Sequence, residues 1–131
     1  MTISASTEAV LHNNVFEIAS SFQAADHGTN GRINRVLIDL PGLRVLLISL
    51  TAGAYVPEHK VEGAITVQTV LGRVEMTAFG SGSEALETDR ARQKYELGAG
   101  SLLSLKGSVP HDVRALEDSC ILVSIVRANR G

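Results

Sequence analysis

The chain has 131 residues, of which 44% are hydrophobic and 20% are charged. This length fits one domain with its own core, and the composition is that of an ordinary globular protein rather than a disordered one. Twelve basic and 14 acidic side chains give a formal net charge of -2, so no positive field is available to attract nucleic acid or anionic lipid.

Residues 1–31 are predicted to form a short N-terminal extension, because this part is small, polar and weakly patterned. Within it, Asn14 is a favourable N-cap for a short helix, and Glu17 has the spacing of a capping box. We expect Phe16 to lie against the main body of the protein. Residues 32–131 are predicted to form the folded domain.

From Arg32 onward, short runs of β-forming residues are separated by turn residues such as Pro41-Gly42 and Gly72. No run in this part has the period of a helix. The predicted strands are Arg32–Leu40, Leu43–Thr51, Ile65–Leu71, Arg73–Phe79, Gln93–Leu97, Leu102–Leu105, His111–Leu116 and Ser119–Val126. Eight short strands at near-regular spacing predict an all-β sandwich or barrel.

Two of these strands, around Val45–Leu50 and Ile121–Val126, are apolar on both faces. A single closed barrel in water would alternate more cleanly, so we expect either a second layer over one sheet or a subunit interface. We predict a homodimer. The N-terminal extension would then be part of the cover, or would be exchanged with the partner.

No segment is typical of a membrane span or of a secretion signal. The apolar run Val45–Leu50 has six residues, where a membrane-spanning helix needs about 20. Met1–Ala9 has neither a basic leader nor a continuous apolar stretch, so we expect a cytoplasmic protein without membrane contact. Cys120 is the single cysteine, which excludes an internal disulfide and a cysteine-cluster zinc site. Its position in a predicted strand favours a packed, unreactive thiol.

The four histidines fall into two groups. His12 and His27 lie in the extension, where we expect them to be solvated. His59 and His111 each follow a glycine-rich turn in the β-rich part. His111 shares one face of its strand with Val113 and with the alanine two residues beyond, so it is expected inside the barrel.

At these positions the chain resembles the cupin superfamily. Gly53, His59 and Gly72 match the first cupin motif, and Gly100 and His111 match the second. The resemblance covers roughly residues 43–126, and more particularly it is to small single-domain bacterial cupins of unassigned activity. It implies a double-stranded β-helix barrel in which the two histidines converge.

The chain departs from the cupin motifs at five places. The replaced motif positions are occupied by Val61 (second histidine), Ile65 (glutamate), Lys106 and Ser108 (proline and glycine of a turn) and Ala115 (asparagine). Two positions that hold metal ligands in the family are therefore occupied by branched apolar residues in this chain.

The resemblance implies one divalent transition metal, Zn, Ni, Fe or Mn, on His59 and His111, but these residues alone leave open that none is bound. A catalytic metal commonly has three protein ligands and an open position. Glu62 and Gln68 are the candidate third donors, and Gln68 is also a candidate pocket residue. Its odd spacing from Ile65 puts the two on opposite sheet faces unless a bulge intervenes.

Three functions stay open at this point. The resemblance is compatible with a metal-dependent dioxygenase or isomerase, with a metal-free module that binds or senses a small organic ligand, and with a non-catalytic structural or accessory protein. In the first two the ligand would enter the barrel and contact His59 and His111. The sequence assigns no catalytic residue.

Overall fold

The computed structural model describes residues 9–80, 92–107 and 109–127. The first eight residues of the predicted extension, and Ser108, lie outside these ranges. The elements are α1 (Val15–Ser21), β1 (Arg32–Leu40), β2 (Leu43–Leu50), β3 (Tyr55–His59), β4 (Ala64–Leu71), β5 (Arg73–Phe79), β6 (Arg92–Gly98), β7 (Leu102–Leu105), β8 (His111–Ala115) and β9 (Ser119–Val126). None of the helices within the described ranges is long and apolar enough to cross a membrane.

The strands form two antiparallel sheets that pack face to face. The five-stranded sheet has the order β1-β2-β9-β4-β7, and the four-stranded sheet has the order β3-β8-β5-β6. Their inner faces bury a continuous apolar core that includes Leu50, Val67, Val74, Met76, Val113 and Ile121. The all-β prediction is confirmed, and the eight predicted strands are all present.

Strand β3 is the one element of the barrel that the sequence prediction lacks. It contains Pro57, and most of its side chains are exposed, so the apolar alternation typical of a strand is missing. Proline is tolerated here because β3 is the edge strand of its sheet. The register shifts between Val56 and His59, and His59 nevertheless pairs with His111.

Helix α1 covers part of the outer face of the five-stranded sheet. The Oδ1 of Asn14 accepts a hydrogen bond from the backbone N–H of Glu17 at 3.1 Å, so the predicted N-cap is confirmed. The prediction for Phe16 is wrong, because its side chain is 63% exposed. Ala19 and Phe22, one helical turn or two further on, face the sheet instead.

A second cluster of buried side chains lies between α1 and the sheet. Ala19 and Phe22 pack there against Leu37, Leu47 and Cys120. The two apolar faces of the central strands are therefore accounted for, since one face lines the barrel and the other lies under the helix. Burial raises the pKa of the Cys120 thiol to about 12, as expected for a packed and unreactive cysteine.

His27 connects the extension to the sheet through a hydrogen bond, so the expectation that it is solvated is wrong. Its Nδ1 lies 2.9 Å from the carbonyl oxygen of Ala25, and its Nε2 lies 2.7 Å from the Oγ of the buried Ser49. A carbonyl oxygen can only accept, so Nδ1 carries the proton in the neutral ring and the Ser49 hydroxyl donates to Nε2. His12 is exposed, as expected.

The packing of α1 and its C-cap residue predicts a large difference between Phe16, within the helix, and Phe22, at its end. Phe22→Ala removes a side chain that is 5% exposed and should lower the free energy of unfolding by about 3–5 kcal/mol. The matched control Phe16→Ala should change it by less than about 0.5 kcal/mol. Urea denaturation measures both, and equal effects of the two substitutions would contradict this placement of the helix.

The homodimer stays a prediction, and we propose the outer face beside α1 as its interface. Phe16 and Leu102 are exposed apolar side chains on this face. Phe16 helps to line an open groove of about 430 Å³, and Leu102 is paired with Gln68, which is another residue of its lining. Sedimentation equilibrium at micromolar concentration should give twice the chain mass of 13.9 kDa. Leu102→Ser should shift the protein towards the monomer, and a monomeric wild type would refute the prediction.

Candidate functional site

A cavity of about 230 Å³ lies between the two sheets, inside the barrel. Its wall is mainly apolar and includes Ile48, Ile65, Val67, Met76, Val113 and Ile121. Four polar side chains also line it in the described part of the chain, and these are Arg32, Asn34, His59 and His111. A mostly apolar cavity with a few polar groups is typical of sites for small organic molecules.

The two histidines come together because the last residue of β3 pairs with the first residue of β8. The ring centroids of His59 and His111 are 4.4 Å apart, and the ring planes are tilted by 59°. His111 is only 3% exposed, whereas His59 is open to solvent. One imidazole therefore lies within the cavity and the other lies at its mouth.

Both imidazoles are oriented by the backbone in the same way. Nδ1 of His59 lies 3.0 Å from the carbonyl oxygen of Pro57, and Nδ1 of His111 lies 3.0 Å from that of Val109. Each Nδ1 must donate to its carbonyl, so in the neutral ring Nε2 keeps an unshared electron pair. The pair therefore offers two acceptor nitrogens to a ligand.

The environment of His111 favours its neutral form. Burial lowers the pKa of His111 below its usual range, and the neighbouring His59 lowers it further. The hydrogen bond to the Val109 carbonyl and the charge of Asp112 act in the opposite direction but are weaker than burial. His111 is thus an acceptor at neutral pH.

The donors around this pair do not complete a site for the metal that cupins imply. Within the described ranges, no group of three His, Cys, Asp or Glu side chains lies close enough to hold a metal ion. Val61 and Ile65 line the cavity at the positions of the missing family ligands and carry no donor atom. Two imidazoles alone fall short of the three protein ligands that are common at catalytic metals.

Neither candidate third donor belongs to the cavity. Gln68 is exposed on the outer face of β4, beside α1, so its assignment to the pocket is wrong. The physical reason is strand alternation, which points Ile65 and Val67 inward and Gln68 outward. Glu62 is exposed in the loop between β3 and β4 and does not line the cavity.

Arg32 and Asn34 are the cavity residues that the sequence reasoning missed. Both lie on the inner face of β1, where the chain pairs Arg32 with Leu50 and Asn34 with Ile48. Their even spacing in a predicted strand is a signal that they share a face. The sequence does not say which face of an edge strand points inward, so this signal alone could not place them in the barrel.

Comparison with known proteins supports the architecture. No protein-family profile and no curated protein matches the chain. A cupin superfamily protein from Desulfitobacterium hafniense has a TM-score of 0.68 at 17% identity, over 85% of this chain and 88% of that chain. KdgF from Halomonas sp. has a TM-score of 0.60 at 19% identity, over 77% and 84%. Oxalate oxidase has a TM-score of 0.65 at 14% identity, over 83% of this chain and 58% of that chain.

These similarities establish that the chain has the cupin fold. The predicted double-stranded β-helix is therefore confirmed. At identities of 14% to 19% the similarities define the architecture and not the chemistry, because one fold carries many functions.

The lowered pKa of His111 predicts a loss of stability in mild acid. As the pH falls below about 6.5, the unfolded chain takes up this proton before the folded chain does. The free energy of unfolding should therefore fall as the pH drops from 6.5 through the lowered pKa, and this contribution should be constant above 6.5. Urea denaturation between pH 8 and pH 5 measures the trend.

The matched variants for this prediction are His111→Gln and His12→Gln. His111→Gln should flatten the dependence of stability on pH in this window, whereas the exposed His12→Gln should leave it unchanged. A pH dependence in His111→Gln as steep as that of the wild type would contradict the prediction.

Proposed function

We propose that this cupin-fold protein binds a small organic molecule inside the barrel, in direct contact with His59 and His111. The observation that carries the proposal is the pair of neighbouring imidazoles, whose Nε2 atoms are left as acceptors at an apolar cavity of about 230 Å³. Such a cavity can exclude water from a ligand, and the two nitrogens can orient it. The protein would be a binding or sensory module.

Direct contact between ligand and imidazole is favoured over contact through a resident metal. The side chains of Val61 and Ile65 supply apolar surface where further metal ligands would be needed, and they make burial of a divalent charge costly. The same side chains suit the apolar part of an organic molecule. The cavity thus fits a ligand better than it fits an ion.

A metal-dependent dioxygenase or isomerase is the second candidate. It is favoured by one observation, which is that each Nδ1 is fixed by a backbone carbonyl, as is common for histidines that bind metal through the other nitrogen. His59 and His111 would hold Zn, Ni, Fe or Mn, and such an ion would supply Lewis-acid or redox chemistry when bound. The remaining ligands would have to come from water or substrate.

The test uses 4-ethylphenol, an uncharged probe with one hydroxyl group and an apolar body, and protein purified without an affinity tag. Nuclear magnetic resonance titration should shift the methyl signals of Val67, Val113 and Ile121, which line the cavity. The double variant His59→Ala with His111→Ala should weaken the binding by about tenfold or more, because two acceptors are lost. The control His12→Ala should bind as the wild type does.

Two results would decide against the proposal. Cavity signals that stay unchanged at millimolar probe would refute a ligand site in the barrel. Stoichiometric metal in the purified protein, measured by elemental analysis and lost in the double histidine variant, would favour the metal-dependent enzyme instead.

A further inference from the structure

We infer that the ligand is an elongated carboxylate, whose carboxylate group binds Arg32 and whose far end carries a hydroxyl group that donates to one Nε2 of the pair His59 and His111. The inference rests on the proposed function and specifies its ligand class. It follows from three features of the cavity in the described part of the chain, namely an arginine that forms no ion pair there, an imidazole pair whose Nε2 atoms receive no hydrogen bond there, and an apolar wall between them.

Arg32 is the one arginine of the described ranges that lines the cavity; Arg44 also has no ion pair with the described side chains and has an Nε without a hydrogen-bond partner, but it does not line the cavity. Arg73 pairs with Glu96 at 2.9 Å, and Arg127 lies 3.8 Å from Asp39. The guanidinium groups of Arg35, Arg92 and Arg114 lie over the rings of Phe22, Phe79 and Tyr55. Arg32 lines the cavity, is half-buried, and forms no ion pair with the side chains that the structure describes.

A half-buried guanidinium at an apolar cavity favours an anionic partner. The planar fork of arginine matches a carboxylate through two parallel hydrogen bonds, and the low dielectric of the cavity strengthens the attraction. Asn34, two residues along the same face of β1, adds an amide donor to this end. The cavity therefore has one end that is suited to a carboxylate.

The register of the strands places this end away from the histidines. Thr51 donates its N–H to the Gly31 carbonyl at 2.9 Å, and Ala54 accepts from the N–H of Ala115 at 2.9 Å. A Cβ built on Gly31 would lie 3.1 Å from the Cβ of Ala54, so the start of β1 adjoins the Ala115 end of β8.

His111 is the first residue of β8 and Ala115 is the last. Four steps at about 3.3 Å each separate the two ends of this strand by about 13 Å. The backbone of Arg32 therefore lies near one end of the cavity and the imidazole pair lies near the other. A ligand that contacts both must be elongated.

The imidazole end calls for a hydrogen-bond donor. In the neutral rings both Nε2 atoms are acceptors, so they cannot satisfy one another. A hydroxyl group satisfies one of them directly, whereas a carboxylate at this end would bring acceptors against acceptors. The two ends of the cavity thus select different groups of one molecule.

The experiment compares three ligands of nearly the same shape by isothermal titration calorimetry of the full chain at pH 7.5. 4-Hydroxyphenylacetate carries both groups, 4-hydroxyphenylacetamide replaces the carboxylate by a neutral amide, and phenylacetate lacks the hydroxyl group. 4-Hydroxyphenylacetate should bind about tenfold more tightly than either of the other two ligands, or tighter still, since each of those two lacks one buried polar contact.

Variants assign each preference to its residue. Arg32→Met should abolish the preference for the acid over the amide, and Arg32→Lys should keep part of it because the charge remains. The control Arg73→Met removes an exposed arginine and should keep the full preference. The double variant His59→Ala with His111→Ala should abolish the preference for 4-hydroxyphenylacetate over phenylacetate.

The outcomes separate this inference from the proposed function. Equal affinity of the acid and the amide in the wild type, together with binding of 4-ethylphenol in the cavity, would overturn the carboxylate assignment and leave the ligand site intact. Loss of the preference in Arg73→Met as well as in Arg32→Met would also overturn it. If neither these ligands nor 4-ethylphenol bind, both proposals are wrong.

Discussion

The alternation of side chains along the central strands is the constraint on which the other features of this protein depend. In β2 and β9, Ile48 and Ile121 point into the barrel, whereas Leu47 and Cys120 point outward. A shift of one residue in the register would exchange the two sets. The cavity would then lose its apolar wall, and the helix would lose the apolar surface on which it packs. One register therefore specifies both the packing inside the barrel and the packing under the helix.

The outer layer explains why a small barrel can contain strands that are apolar on both faces. Phe22, the C-cap residue of helix α1, packs in the outer cluster, and the guanidinium of Arg35 lies 4.9 Å from the centre of that ring. The bond between His27 and Ser49 holds the segment that joins the helix to β1. In the residues described, the extension is thus a structural part of the fold. It covers only part of the outer face of the sheet, and apolar surface stays exposed beside Phe16.

Most of the fold could be predicted from local patterns, because turn residues delimit the strands and alternation identifies the half-buried ones. The limits of β1, β5, β7 and β9 agree with the sequence prediction. Strand β3 could not be found in this way, since an exposed edge strand with Pro57 has neither an apolar face nor a regular ladder. Pairing with β8 specifies it, and that pairing joins residues far apart in the chain.

The candidate site was only partly accessible to sequence reasoning for a related reason. Motifs identify His59 and His111, whereas the role of Gln68 depends on which face of β4 points inward. Arg32 belongs to no motif, and its place in the cavity follows from the packing of one sheet edge against the other. Contacts of this kind are set by tertiary packing and leave no local signal.

The position of Cys120 gives the protein an internal reporter of its own motions. The thiol is sealed between the five-stranded sheet and α1, and it is the only cysteine in the chain. Because Cys120 is only 1% exposed, an alkylating reagent reaches it in states in which the surrounding packing has opened, so the labelling rate reports on the population of those states. Labelling rates measured with and without a ligand in the barrel would therefore show whether ligand binding inside the barrel changes the packing around Cys120. No engineered probe is needed.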